Sequence, residues 1–145
     1  LMTSAAIDDR INNAAGITQD SGTTTLTFNG FSSNPDPKLT VTAYWVKTGK
    51  QVTLTFETSQ NFGSYSGSAT ATGLAHTANS NTDFFGTVHH NGSLATSFND
   101  GMVCRIRGAA GTTIDFLGQE SSVQAGWSGT NSVKDLGVTI TYFTA

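Results

Sequence analysis

Three histidines are the first candidates for metal binding or acid–base chemistry: His76, His89 and His90. His89 and His90 are adjacent, so on a strand they point to opposite faces and cannot grip one ion within a single chain. One histidine from each of three copies could ring an ion on a shared axis, although ordinary exposed hairpin histidines account for the pattern more simply. Hydrolysis of a glycosidic bond needs two carboxylates facing each other across a groove. The ten acidic residues are instead dispersed, and Asp83, Asp100, Asp115, Glu120 and Asp135 all border expected strand ends or turns, where Asp commonly closes Asx turns. Gly63-Ser-Tyr-Ser-Gly67 approaches a nucleophile elbow, but its two serines flank Tyr65 where a single central serine is required. Ala109-Ala-Gly-Thr-Thr113 lacks the lysine of a phosphate loop. The single cysteine, Cys104, cannot form an internal disulfide, and the run Met102-Val-Cys-Arg-Ile106 marks it as a small buried apolar residue. Asn91-Gly92-Ser93 matches a glycosylation acceptor, and a hairpin turn explains it fully. The expectation is a non-enzymatic chain with no catalytic residue, no metal and no cofactor.

Binding suits the composition better than reaction. Charged residues are only 12% of the chain, about half of typical usage. Their place is taken by 24 Thr, 15 Ser, 10 Asn and 16 Gly, a bias toward strands and turns. A net charge of −3 gives no footprint for nucleic acid. The closest basic pair, Arg105 and Arg107, would share one strand face as solvent-exposed partners of acidic neighbours. No apolar run approaches the ~20 residues of a membrane-spanning helix, so membrane insertion is not expected. The chain starts without an initiator Met and without the features of a secretory signal, as expected of a fragment of a longer polypeptide. Carbohydrate is held by exposed aromatic faces together with Asn, Asp and Ser side chains. Phe31, Phe62, Tyr65, Phe84, Phe85 and Trp127 fall outside clean strand alternation, and Trp127 sits between Gly126 and Gly129 in an expected turn.

The elements that must position these residues read as one short helix followed by strands. Ser4 can cap a helix over residues 3–16, Asp8 and Asp9 favour its first turns, and Gly16 can close it. Ile7, Ile11 and Ala14 make one narrow stripe, and about 12 residues is marginal for an isolated helix, so the stripe needs a partner, either the β-domain of its own chain or copies of itself around an axis. From Thr23 onward alternation replaces helical periodicity. Strands are expected at Thr23–Phe28, Leu39–Lys47, Gln51–Ser59, Ser66–Leu74, Asp83–His89, Met102–Arg107, Thr112–Leu117 and Leu136–Tyr142. Thr48-Gly49-Lys50 and Asn91-Gly92 are hairpin-turn signals, with Ala109-Ala-Gly111 a weaker one. The expected fold is all-β: a jelly-roll-like antiparallel β-sandwich preceded by a short N-terminal helix. Residues 1–18 would form a coiled-coil-like stem and 19–145 a knob.

Several segments resemble the distal, receptor-binding domains of bacteriophage tail fibres. Trp45-Val-Lys-Thr-Gly-Lys-Gln-Val-Thr-Leu-Thr-Phe56 is similar to their aromatic-x-Lys-x-Gly-x-x-Val hairpin, and Ala71-Thr-Gly-Leu74 to their apolar-x-Gly-Leu run. Leu1 to Ile11 resembles the connector from fibre shaft to knob, and Leu136-Gly-Val-Thr-Ile-Thr-Tyr-Phe143 the final strand. The chain lacks the proline common after the Gly-Leu run, so the loop Ala75–Thr82 is expected to be less defined. The resemblance implies a homotrimer on an upstream fibre shaft, located on the virion, that meets a bacterial surface polysaccharide or outer-membrane protein. Alternatives of other classes are a head fibre or capsid decoration, and a lectin-like carbohydrate-binding module.

A lean core and a short helix support threefold association independently, with Ile7, Ile11 and Ala14 as the axial seam. If each strand reverses direction, the loops at 29–38, 60–65, 90–93, 108–111 and 127–131 would share the end away from the stem. Phe62, Tyr65, His90, Asn91 and Trp127 would then form the receptor-binding tip, since loops carry recognition.

Overall fold

The structure, a computed structural model, describes residues 18–29, 40–58, 70–92, 102–108, 111–118 and 133–145. The expected helix with Ile7, Ile11 and Ala14, and the aromatics Phe62, Tyr65 and Trp127, lie outside the described residues. His90 and Asn91 belong to a strand, and their side chains lie outside what is described.

The described residues form eight antiparallel strands: β1 (Gln19–Asn29), β2 (Thr40–Thr48), β3 (Gln51–Thr58), β4 (Thr70–Thr72), β5 (Phe84–Gly92), β6 (Met102–Ile106), β7 (Thr113–Gly118) and β8 (Val133–Phe143). The all-β antiparallel expectation is met. Where a two-layered jelly-roll-like sandwich was expected, the strands close into a barrel in the order β1-β2-β3-β8-β5-β6-β7-β4. That order is two Greek keys in succession, 4-1-2-3 and 8-5-6-7, joined where β3 meets β8 and where β7 meets β4. Each half therefore supplies three consecutive strands and a fourth that returns beside its first.

Alternation decides which side chains fill the interior. Val52, Leu54 and Phe56 of β3 point inward, as do Leu136, Val138, Ile140 and Tyr142 of β8, and all are buried. The buried side chains of these strands pack into one apolar core inside the barrel. Toward one mouth, Phe28 stacks on Phe116 and meets Phe56 edge-on, each pair with centroids 5.9 Å apart. Toward the other, Trp45 packs edge-on against the His76 ring at 4.5 Å, and Gly22 on the paired strand leaves space for the indole.

One mouth is closed by the β4–β5 connection. Gly73, at φ 112°, turns the chain so tightly that an added Cβ would collide with the Thr25 carbonyl. The following residues then cross the barrel. Ala78 is buried and its amide donates to the Gly111 carbonyl at 2.7 Å, while the Asn79 amide donates to Phe143 at 2.7 Å. The Tyr142 hydroxyl donates to the His76 carbonyl at 3.1 Å. The loop Ala75–Thr82, expected to be less defined, is thus held from several strands at once. Thr48-Gly49-Lys50 turns at the same end as expected, with Gly49 at φ 59°.

Two turn expectations are corrected. Asn91 and Gly92 still pair with Lys134 and Val133, so β5 continues through the expected hairpin turn, with a bulge between His89 and Asn91. Gly108 follows the downward β6, so the 108–111 connection lies at the closed mouth, apart from the other loops expected to share an end with it.

Candidate functional site

The direction of each strand sorts the connections. β1, β3, β5 and β7 all run toward the mouth opposite the Ala75–Thr82 strap, and β2, β4, β6 and β8 return from it. The strand ends that lead into residues 30–39, 59–69, 93–101 and 119–132 therefore share one rim, called here the open rim. Thr18 lies at the other end, where its carbonyl accepts a hydrogen bond from Gly49 at 2.9 Å. Of the residues expected to bind, Phe62 and Tyr65 follow β3 in the sequence, His90 and Asn91 lie at the rim end of β5, and Trp127 precedes β8. These three strands are neighbours in the barrel.

On the outer wall of those same strands lies a groove of about 340 Å³, lined by Thr55, Glu57, Thr87, His89, Gly137 and Thr139. Its geometry follows from register. Gly137 of β8 stands opposite Glu57 of β3 on one side and His89 of β5 on the other. With strands about 4.8 Å apart, a carboxylate and an imidazole rise from backbone positions about 10 Å apart across a floor without a side chain. One step down, Thr55 and Thr139 face each other with their hydroxyl oxygens 3.2 Å apart, and the Thr55 hydroxyl also donates to the Val138 carbonyl at 3.1 Å. Below them Thr53 and Thr141 repeat the contact at 3.0 Å. Glu57 and His89 are both exposed, and the groove opens beside the rim.

Several other described titratable residues are committed to structure. Asp115 is buried and receives Arg105 at 3.0 Å and Arg107 at 3.4 Å, while Arg105 also lies 3.7 Å from Asp83. Arg105 is thereby mostly enclosed on the β6–β7 wall, a correction to the expectation of an exposed basic pair; Arg107 remains exposed. The Asp83 carboxylate also accepts the Gly108 amide at 3.0 Å, tying the closed mouth. Cys104 is buried, and burial pushes its thiol up to about 12, which makes it inert as a nucleophile. His76 sits against Trp45, away from His89. Among the described residues no cluster of three or more His, Cys, Asp or Glu has the arrangement of a metal site.

Sequence reading weighed His89 for metal or acid–base chemistry and passed over Glu57, Thr55, Thr87, Gly137 and Thr139. The signal that could have found them is Gly137 itself, an isolated glycine inside an alternating strand, which marks a bulge or the close approach of another group. The groove offers hydrogen-bonding groups around a small hollow of mixed polar and apolar lining, with one carboxylate among its described lining residues. No protein-family model, curated protein or solved structure matches the chain.

Proposed function

We propose that this chain is a non-enzymatic bacteriophage tail-fibre tip that recognises a bacterial surface receptor, a glycan, during adsorption to the host. The observation that carries the reading is the polarity of the barrel. The strand ends leading to its four long connections gather at one rim, whereas Thr18, and with it the route to residues 1–17, lies at the other. A domain built this way can be carried from one end and meet a surface with the other. The low-charge, Thr-rich composition suits an uncharged, hydroxylated partner.

In this reading residues 1–18 form a helical stem, three copies associate about Ile7, Ile11 and Ala14, and an upstream fibre shaft precedes them on the virion. Phe62, Tyr65, His90, Asn91 and Trp127 contribute aromatic and polar contacts at the tip. The test joins mass and adsorption. Light scattering of the full chain should give three chains per particle. Fluorescently labelled protein should bind host cells, and surface polysaccharide purified from those cells should compete. Tyr65→Ala and Trp127→Ala together should abolish adsorption while leaving the fold intact. A monomer, or adsorption that persists in the folded double variant, refutes this assignment.

A further inference from the structure

We propose that the Gly137 groove is a subsite for a single uncharged sugar ring, gripped through adjacent hydroxyl groups by Glu57 and Thr139; this rests on the reading of the domain as a glycan binder. The first observation concerns what the glycines are for. Gly49 and Gly73 take positive φ. At Gly22, Gly86, Gly108 and Gly111 an added Cβ would lie 2.5–2.8 Å from a neighbouring atom, closer than real contacts allow. Gly137 alone among the glycines with described surroundings has neither reason. Its φ lies outside the positive region, and an added Cβ would meet nothing nearer than His89 at 3.8 Å. A side chain would fit there, and glycine in a strand interior sacrifices conformational entropy. What its absence preserves is the hollow between Glu57 and His89.

The second observation is the direction of the hydroxyl protons. A threonine hydroxyl carries one proton. Thr55 gives its proton to the Val138 carbonyl, so the 3.2 Å contact with Thr139 is a bond donated by Thr139. Thr139 Oγ1 therefore turns only lone pairs toward the groove. The Glu57 carboxylate is also an acceptor, with two oxygens that can take two neighbouring donors. Floor and wall together demand a ligand rich in O–H donors, and adjacent hydroxyls on a sugar ring supply them. His89 lines the far wall of the hollow. A hollow of about 340 Å³ lies at the small end of ligand sites, about 300–1,000 Å³, and matches one ring better than an extended oligosaccharide.

Amide NMR of the full chain, titrated with the methyl glycosides of glucose, galactose, mannose, rhamnose and N-acetylglucosamine, tests the subsite. At least one should shift the amides of Glu57, His89, Gly137 and Thr139. Gly137→Val fills the hollow and Glu57→Gln removes an acceptor at constant size; each should weaken that binding at least tenfold with the spectrum otherwise native. Should Gly137→Val fail to fold, Glu57→Gln decides alone. Shifts that map elsewhere, or equal binding by the folded variants, overturn the subsite and leave the domain a glycan binder. If none of the glycosides shifts an amide while cell polysaccharide still competes for adsorption, the subsite alone falls; if polysaccharide does not compete either, both readings fall.

Discussion

The two mouths of the barrel are built from the same kind of strand and receive different connections, the strap at one and the strand ends leading to four long connections at the other. At the closed mouth a strap of the chain crosses the interior, and backbone amides, a tyrosine hydroxyl and an aspartate tie it to β8 and to the β6–β7 turn. Gly108 and Gly111 let it lie against the neighbouring backbone with no space for a side chain. Near the open rim the strand ends lead into long connections, and Gly137, where an added Cβ would meet nothing nearer than 3.8 Å, preserves a hollow. The contrast teaches where this fold places its constraints. Substitutions at the closed mouth should cost stability and leave recognition alone, and substitutions at the rim should do the reverse.

The largest effect is expected from Gly108→Val. Its side chain would meet the Ser80 and Thr82 carbonyls at 2.8 Å and force the strap outward, costing about 3 kcal/mol of unfolding free energy in urea titration. Tyr142→Phe removes one hydrogen bond to the strap and should cost about 1 kcal/mol, with receptor binding unchanged.

Alkaline pH probes the interior from another direction. Burial raises the Cys104 thiol from 9.0 to about 12 and the Tyr142 phenol from 10.0 to about 12. Both groups hold their protons more tightly folded than unfolded, so stability is full below pH 9 and falls as pH rises from 9 toward about 12. Cys104→Ala should move the onset of that loss from pH 9 to 10, read from urea midpoints across the range.

The smallest stability effects belong to the rim. His89→Ala and Glu57→Gln should each change stability by less than about 0.5 kcal/mol, because both side chains are exposed. Gly137→Ala should stabilise by about 0.5 kcal/mol, since alanine fits the site and restricts the unfolded chain. A large loss in any of the three would erase the distinction between the two ends.

Alternation made the strands legible from the sequence, because a half-buried strand writes its inward face every second residue. Val52, Leu54 and Phe56 are the plainest case, and Gly49 between two such runs located the β2–β3 turn. Neighbour order was not legible: β8 lies between β3 and β5 through pairings with partners remote in sequence, and a jelly-roll-like sandwich and a Greek-key barrel share the same local pattern. Asn91-Gly92 misled because turn chemistry is a local preference, which the ladder to β8 overrides by absorbing a bulge. The strap was hidden because Ala78 is small and surrounded in sequence by polar residues, with nothing local to announce its burial. The groove was hidden for a related reason. Glu57, His89 and Gly137 are far apart in the chain and meet only through strand order, and its threonines resemble every other outward threonine on the wall.

The central claim is that recognition belongs to the open rim and structure to the closed mouth. Hydrogen exchange of the full chain, with and without surface polysaccharide from a bacterium to which it adsorbs, tests this most directly. Exchange should slow at the rim ends of β3, β5 and β8 and stay unchanged in the strap from Gly73 to Asp83. Protection concentrated in that strap, with the rim unchanged, would contradict it.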